Sequence, residues 1–289
     1  MSFLTLNDVT FSYPNGFTAV ENVNMSFEKG ESVAIIGQNG AGKTTTVKMM
    51  NGLLRPTKGD VIIEGLNTKD YTTAQISRKV GYVFQNPDDQ IFHETVKSEI
   101  MFGPKNLGFS EEKMNENVKK AAELTGLESF LDIHPYNLPY SMKKMVSIAS
   151  VIAMDTGTII LDEPTAGQDS IAIKKLGSII NALVKEGKTI ITITHDMEFV
   201  VTNFERVIVM ANKKVVSDEN KRGIFWNLDI LEEAMLKQPH ISRLSNTLNF
   251  NGKILDIDEM IESLKKQQAK KGQRKNDNNE SYKQVSEIL

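Results

Sequence analysis

The chain has no cysteine among its 289 residues, which excludes disulfides, thiolate metal sites and cysteine nucleophiles. Histidine is scarce. There are four, and no two of them have metal-ligand spacing. His93, His134 and His240 read as structural or surface residues, leaving His195 as the one with a suggestive position. Basic charge is not in excess either: a formal net charge of −3 argues against general nucleic-acid binding, although a local basic patch is compatible with it. No apolar run approaches the ~18–20 residues that span a bilayer. The segment from Met1 to Asp8 carries an acid early and no basic stretch followed by an apolar one, so no signal peptide is expected. These absences leave a cytoplasmic protein whose membrane role, if it has one, comes through partners. The length allows one large domain and a smaller one, or two modest ones.

What the chain does have is Gly37-Gln-Asn-Gly-Ala-Gly-Lys43-Thr44, a phosphate-binding P-loop pattern. Its context is the required one. Ser32–Ile36 before it reads as a buried strand and Thr44–Met50 after it as the start of a helix, so the loop runs from a strand end to a helix N-terminus. Glycines let backbone N–H groups close around phosphate oxygens without a Cβ in the way, and the helix N-terminus adds partial positive charge. Gly37, Asn39, Gly40, Ala41, Gly42, Lys43, Thr44 and Thr45 are therefore expected around the nucleotide. Lys43 is assigned to the β- and γ-phosphates, and the Thr44 hydroxyl to Mg²⁺. The chain is expected to bind ATP with Mg²⁺.

The remainder reads as an α/β protein. Strands are expected over Phe3–Tyr13, Phe17–Phe27, Val61–Ile63 and Lys79–Phe84, with turns at Pro14-Asn-Gly16 and Lys58-Gly-Asp60. From Thr95 to Met154 the period becomes helical, as in Glu111–Thr125 and Met142–Met154. Strands return at Thr158–Leu161, Thr189–Ile193 and Val207–Met210, with a helix over Ser170–Glu186. Alternating strands and helices imply a largely parallel sheet with a helical insertion at 95–154.

Two strand ends add chemistry. Thr158-Ile-Ile-Leu-Asp162-Glu163 is an apolar strand closing on two carboxylates, at the end where α/β sheets place ligands. Adjacent acids also occur as solvated turn residues; beside a P-loop, Asp162 is read as a Mg²⁺ ligand and Glu163 as the acceptor of a proton from attacking water. Thr189-Ile-Ile-Thr-Ile-Thr-His195 repeats the pattern and brings an imidazole to the same edge, where it can meet the γ-phosphate or orient the water.

The order of Tyr13, the P-loop, Gln85, the helical insertion, Leu161-Asp-Glu-Pro-Thr-Ala-Gly-Gln-Asp169 and His195 resembles the ATPase subunit of an ABC transporter over residues 1–220. The resemblance implies a P-loop ATPase fold with an antiparallel β subdomain. It also implies that Tyr13 stacks on adenine, that Gln85 touches Mg²⁺ and links the site to a membrane subunit, and that Ala166–Asp169 communicates across a dimer of ATPases. Tyr13 alone is equally suited to packing within a strand. Gln85-Asn-Pro-Asp-Asp-Gln-Ile-Phe92, Glu99 to Gly108 and the run Gln238–Ser245 are similar to the ATPases of energy-coupling factor transporters, which import vitamins, cobalt or nickel. In those, two ATPase subunits drive a membrane scaffold that serves a substrate-binding membrane protein, and the ATPases pair through a small C-terminal helical extension, here 221–264. The chain would then sit on the cytoplasmic face of the membrane.

One segment departs from the family. The motif Leu-Ser-Gly-Gly-Gln is expected at Leu138, 24 residues before Asp162, where the chain reads Leu138-Pro-Tyr-Ser-Met142. In the family, the serine and glycines of that motif contact ATP held by the opposite subunit. Pro139 has neither hydroxyl nor N–H. Three readings follow: a weakened contact, Ser141 substituting in a shifted register, or Lys143 or Lys144 supplying charge. The first leads to an asymmetric heterodimer, because two-fold symmetry would duplicate the defect. A regulatory subunit that binds ATP and scarcely hydrolyses it is the alternative. The segment 265–289 reads as a basic, polar tail without a continuous apolar face, expected to be disordered, with attraction to anionic lipid as the second reading. Trp226 is expected to anchor the C-terminal extension by packing.

Overall fold

The computed structural model describes residues 3–250 and 252–266. Most of the basic tail, including Lys270, Lys271, Arg274 and Lys275, lies outside the described residues.

The chain opens with an antiparallel hairpin of β1 (Leu4–Ser12) and β2 (Thr18–Phe27). Its turn closes where Pro14-Asn-Gly16 predicts it, with the Gly16 N–H donating to the Tyr13 carbonyl. Next come β3 (Ser32–Ile36), α1 (Lys43–Met50), β4 (Lys58–Ile63), β5 (Leu66–Asn67), the single turn α2 (Thr73–Ile76) and β6 (Val80–Val83). The turn expected at Lys58-Gly-Asp60 is instead the first half of β4, pairing Thr10 with Lys58 and Asn7 with Asp60. Between those pairs the register shifts. A Cβ on Gly59 would lie 2.3 Å from the Asp8 carbonyl oxygen, so the glycine serves a bulge in a strand and not a reversal.

The helical block consists of α3 (Val96–Asn106), α4 (Glu111–Thr125) and α5 (Tyr140–Ala153). Sequence sets the limits of α4 locally: the Ser110 side chain caps its start, and Gly126, at φ 73°, ends it in the left-handed region that glycine tolerates. Afterwards β7 (Thr158–Asp162), α6 (Ser170–Lys185), β8 (Thr189–Ile193), α7 (Met197–Asn203), β9 (Arg206–Ala211) and β10 (Lys214–Asn220) complete the larger unit. Short helices follow: α8 (Lys221–Phe225), α9 (Leu228–Glu233), α10 (His240–Thr247) and a last helical stretch over 257–266. Trp226 holds this extension in place, its Nε1–H donating to the Ile254 carbonyl at 3.1 Å.

The strands form two sheets. One, in the order β2-β1-β4-β5, is antiparallel; the other, β10-β9-β3-β8-β7-β6, is parallel except for its edge strand β10. Because side chains alternate along a strand, the parallel sheet feeds two cores. Val33, Ile35, Ile160 and Ile193 pack with the antiparallel sheet and α1 on one side. Ala34, Ile36, Leu161 and Ile190 pack with the helices on the other. At about 1.5–3 kcal/mol for each aliphatic side chain buried, this two-sided sheet is the rigid frame of the molecule. It points the C-terminal ends of β3, β6, β7 and β8 to one edge, where the segments singled out in the sequence emerge.

Candidate active site

The loop from Gly37 to Gly42 crosses from β3 to α1, and two of its glycines, Gly37 and Gly42, are dictated by what surrounds them. A Cβ at Gly37 would lie 2.1 Å from the Met210 carbonyl oxygen, and one at Gly42 2.6 Å from that of Ala19. Gly42 is also the N-cap of α1, with φ 97°. The Lys43 side chain turns back over the loop, donating to the carbonyls of Gly37 at 2.7 Å and Gln38 at 3.0 Å. Burial lowers the Lys43 pKa from the usual lysine range, opposed by the carboxylates of Glu163 and Asp162.

Asp162 ends β7 fully buried, between two hydroxyls. Tyr82 donates to its Oδ2 at 2.6 Å and Thr44 to its Oδ1 at 3.4 Å. Burial, then Asp162 itself, pushes the Tyr82 hydroxyl pKa up, so the phenol stays a donor. Glu163 follows with φ 46°, a left-handed conformation uncommon outside glycine, and such strain clusters at functional sites. The strain directs its carboxylate to the loop after β8: His195 Nδ1 lies 2.8 Å from Glu163 Oε2, and the His195 backbone N–H donates to the same oxygen at 3.3 Å. Glu163 is 6% exposed, whereas the His195 side chain is 65% exposed. Burial raises the Glu163 pKa; His195 and then Lys43 pull it back.

A cavity of about 250 Å³ is lined by Lys43, Thr44, Gln85 and Glu163 together with Tyr13 and Thr45; Asp162, which accepts from Thr44, and His195, which meets Glu163, are not on its wall. Asn39, Gly40 and Gly42 line it too. Ala41 does not: its side chain is buried in the core and its N–H donates to the Gln38 carbonyl. The Tyr13 hydroxyl is 3.4 Å from Thr45 Oγ1, and the ring stacks on Phe17 with centroids 6.5 Å apart. Phe17 was not singled out in the sequence. It lines the same cavity, 54% exposed, with Lys213 Nζ 4.7 Å from its ring centre. Two exposed aromatics closing one hairpin turn were the available signal.

Among the described residues no cluster of three or more histidines and acids could hold a metal unaided. The donor set still fits Mg²⁺, which is held by one or two carboxylates, hydroxyls and substrate phosphates, and not by an all-protein cage. Asp162 accepts from Thr44, and Thr44 lines the same cavity as Gln85.

The region that departs from the family pattern is equally well defined. Pro139 is the N-cap residue of α5 and provides no side-chain cap. Tyr140 lies against Gly167, where an added Cβ would be 2.7 Å from its ring. Lys143 pairs with Asp88 at 2.6 Å. Lys144 is fully buried, donating to the carbonyls of Phe84 at 2.9 Å and Gln85 at 2.6 Å. Burial draws the Lys144 pKa down to about 8, against the pull of Asp162 and Glu163. Both lysines are thus engaged within this chain, Lys143 by a carboxylate and Lys144 by main-chain carbonyls. Asp169 caps α6, accepting from the N–H groups of Ile171 and Ala172.

Comparison with known proteins bears on the family and the fold. Residues 20–166 match the family model described as ABC transporter. The chain is 39% identical to the energy-coupling factor transporter ATP-binding protein EcfA of Methanocaldococcus jannaschii, over 86% of this chain and 90% of that one. Among solved structures, that of CbiO1 from Clostridium perfringens, part of the ABC transporter complex CbiONQ, superposes with a TM-score of 0.73 at 32% identity, covering 85% of this chain and 99% of that one. A dimeric post-hydrolysis state of the ATP-binding cassette MJ0796, bound to ADP and Pi, gives a TM-score of 0.68 at 28% identity, covering 76% of this chain and 99% of that one. The chain therefore belongs to the ATP-binding proteins of ABC transporters, the ATPases that couple ATP hydrolysis to transport, and its relatives there include energy-coupling factor ATPases.

Proposed function

We propose that this chain hydrolyses ATP as one of two ATPase subunits of an energy-coupling-factor-type importer, powering uptake of a vitamin or transition-metal ion through a membrane scaffold and a substrate-binding membrane subunit. The observation that carries this reading is Glu163, strained and buried at the cavity wall with His195 on its carboxylate. Adenine stacks on Tyr13, with Phe17 extending the platform. The loop amides and Lys43 hold the β- and γ-phosphates, Lys43 exchanging its two carbonyl partners for phosphate oxygens. Thr44, Asp162 and Gln85 would hold Mg²⁺, which would supply charge neutralisation at the phosphates. Glu163 takes the proton from the in-line water while His195 orients that carboxylate and faces the γ-phosphate. A buried carboxylate with a raised pKa is a better base than an exposed one.

No helix among the described residues is long and apolar enough to cross a membrane, so the membrane path belongs to partners. The exposed rings of Phe92, just before α3, and Phe102, on α3, packed edge to face at 4.9 Å, are offered to them. The second ATPase supplies a Leu-Ser-Gly-Gly-Gln motif to the ATP held here. The Pro139 start of α5 gives weaker contact in return, making the pair a heterodimer with one fast site.

Replacing Glu163 with Gln tests the assignment. ATP binding is expected to survive, since the phosphate contacts are untouched, while turnover falls at least ~100-fold with the loss of general-base assistance. Near-normal hydrolysis by that variant would refute the role given to Glu163 and favour a subunit that uses ATP only as a structural switch.

A further inference from the structure

Lys144 is a fully buried lysine whose ammonium group has no carboxylate partner among the described residues. Its two acceptors are main-chain carbonyls, those of Phe84 at 2.9 Å and Gln85 at 2.6 Å. An apolar side chain of the same length would fill this space without the cost of burying a charge. The charged head therefore answers to the carbonyls. It also has company. On the same face of α5, Lys143 Nζ meets Asp88 at 2.6 Å, and Gln90 Nε2 donates to the Ser147 carbonyl at 2.9 Å and the Ser150 hydroxyl at 3.0 Å. Gln90 Oε1 in turn accepts from the Phe84 N–H at 3.1 Å. The loop from Phe84 to Gln90 is thus fastened along two turns of α5.

Each end of this assembly has a different destination. Gln85 lines this chain's own nucleotide cavity, and α5 begins at Tyr140, within the segment that departs from the family pattern. We propose that Lys144 is a positioning residue that fixes Gln85 to α5, so that displacement of the first turn of α5 by an opposing subunit moves Gln85 in this chain's own site. The inference rests on the reading of Gln85 as a site residue. With Lys143 as its outer partner, the fastening makes loop and helix one rigid unit, because two hydrogen bonds to adjacent carbonyls fix both the position and the orientation of the peptide between them.

The test is a double-mutant cycle on steady-state MgATP hydrolysis by the assembled transporter, using wild type, Lys144→Met, Gln85→Ala and the double variant. Lys144→Met is expected to lower kcat about tenfold with KM for ATP changed less than about twofold, and to have less than about a twofold effect once Gln85 is alanine, as for residues acting through one contact. A residue that merely supports the fold would cost the same factor in both backgrounds, and that result would overturn the inference while leaving the role of Gln85 intact. If Gln85→Ala alone hydrolyses ATP normally, Gln85 leaves the site and the inference falls with it. Should Lys144→Met not fold, Lys143→Met at the outer end of the fastening runs the same cycle: loss of its effect in the Gln85→Ala background supports the proposal, and additivity refutes it.

Discussion

Removing one hydroxyl, by Tyr82→Phe, isolates the contact that holds Asp162. The ring stays, with its edge-to-face packing on Phe84 at 4.9 Å, so the core loses no volume. What goes is the donor 2.6 Å from Asp162 Oδ2. Asp162 is 1% exposed and its other oxygen has only the longer Thr44 contact, so the orphaned oxygen has little access to water. Hydrogen bonds to charged groups contribute about 1.5–3 kcal/mol, and an unpaired buried acceptor keeps its full desolvation cost. The expected loss is therefore about 2 kcal/mol, which for a chain of this size lowers the melting temperature by on the order of 5 °C. Urea titration of the purified, nucleotide-free chain should show the midpoint fall with the slope unchanged. In an Asp162→Asn background, where no charge needs the donor, the same substitution should cost less than about half as much. Turnover should also fall, on the order of tenfold, because the carboxylate facing Thr44 is no longer held in place. A wild-type midpoint, or an equal cost in both backgrounds, would refute the view that the phenol holds this carboxylate.

Other outcomes follow from neighbouring contacts. Gly37→Ala, whose Cβ would sit 2.1 Å from the Met210 carbonyl oxygen, should lose about 1–3 kcal/mol to overpacking and lose ATP binding in a fluorescent-nucleotide titration. The acid limb of kcat against pH should lie above the ordinary carboxylate range, because burial raises the Glu163 pKa and activity needs the ionised form. Deleting the imidazole in His195→Ala removes a group that pulls that pKa down, so the limb should move to still higher pH while kcat falls; an unmoved limb would show that Glu163 is not the titrating base.

How much of this was legible in the sequence depends on how local each feature is. The P-loop carries its whole context within twenty residues, and α4 announces both ends with Ser110 and Gly126. Strand-end logic also brought Glu163 and His195 to one edge, because in a parallel sheet the ends of β7 and β8 must be neighbours. Features set by distant partners were opaque. Lys58-Gly-Asp60 carries the composition of a turn, and only the approach of Asp8 makes Gly59 a bulge. β10 lacks an alternating apolar pattern because it is an exposed edge strand paired on one side only, to β9. Phe17 looked like a strand residue until the hairpin turned it toward Tyr13. Lys144 is the clearest case. One of two adjacent lysines reads as solvated, and its burial depends on carbonyls 60 and 59 positions away.

On the proposed reading, this chain works as half of an unequal ATPase pair on a membrane scaffold. The most direct measurement is to purify the tagged chain from detergent-solubilised native membranes and identify what accompanies it by mass spectrometry. A membrane scaffold and a second ATPase whose sequence carries an intact Leu-Ser-Gly-Gly-Gln are expected to come with it; recovery of this chain alone, with soluble proteins only, or with a second ATPase that also lacks that motif would overturn the unequal pair.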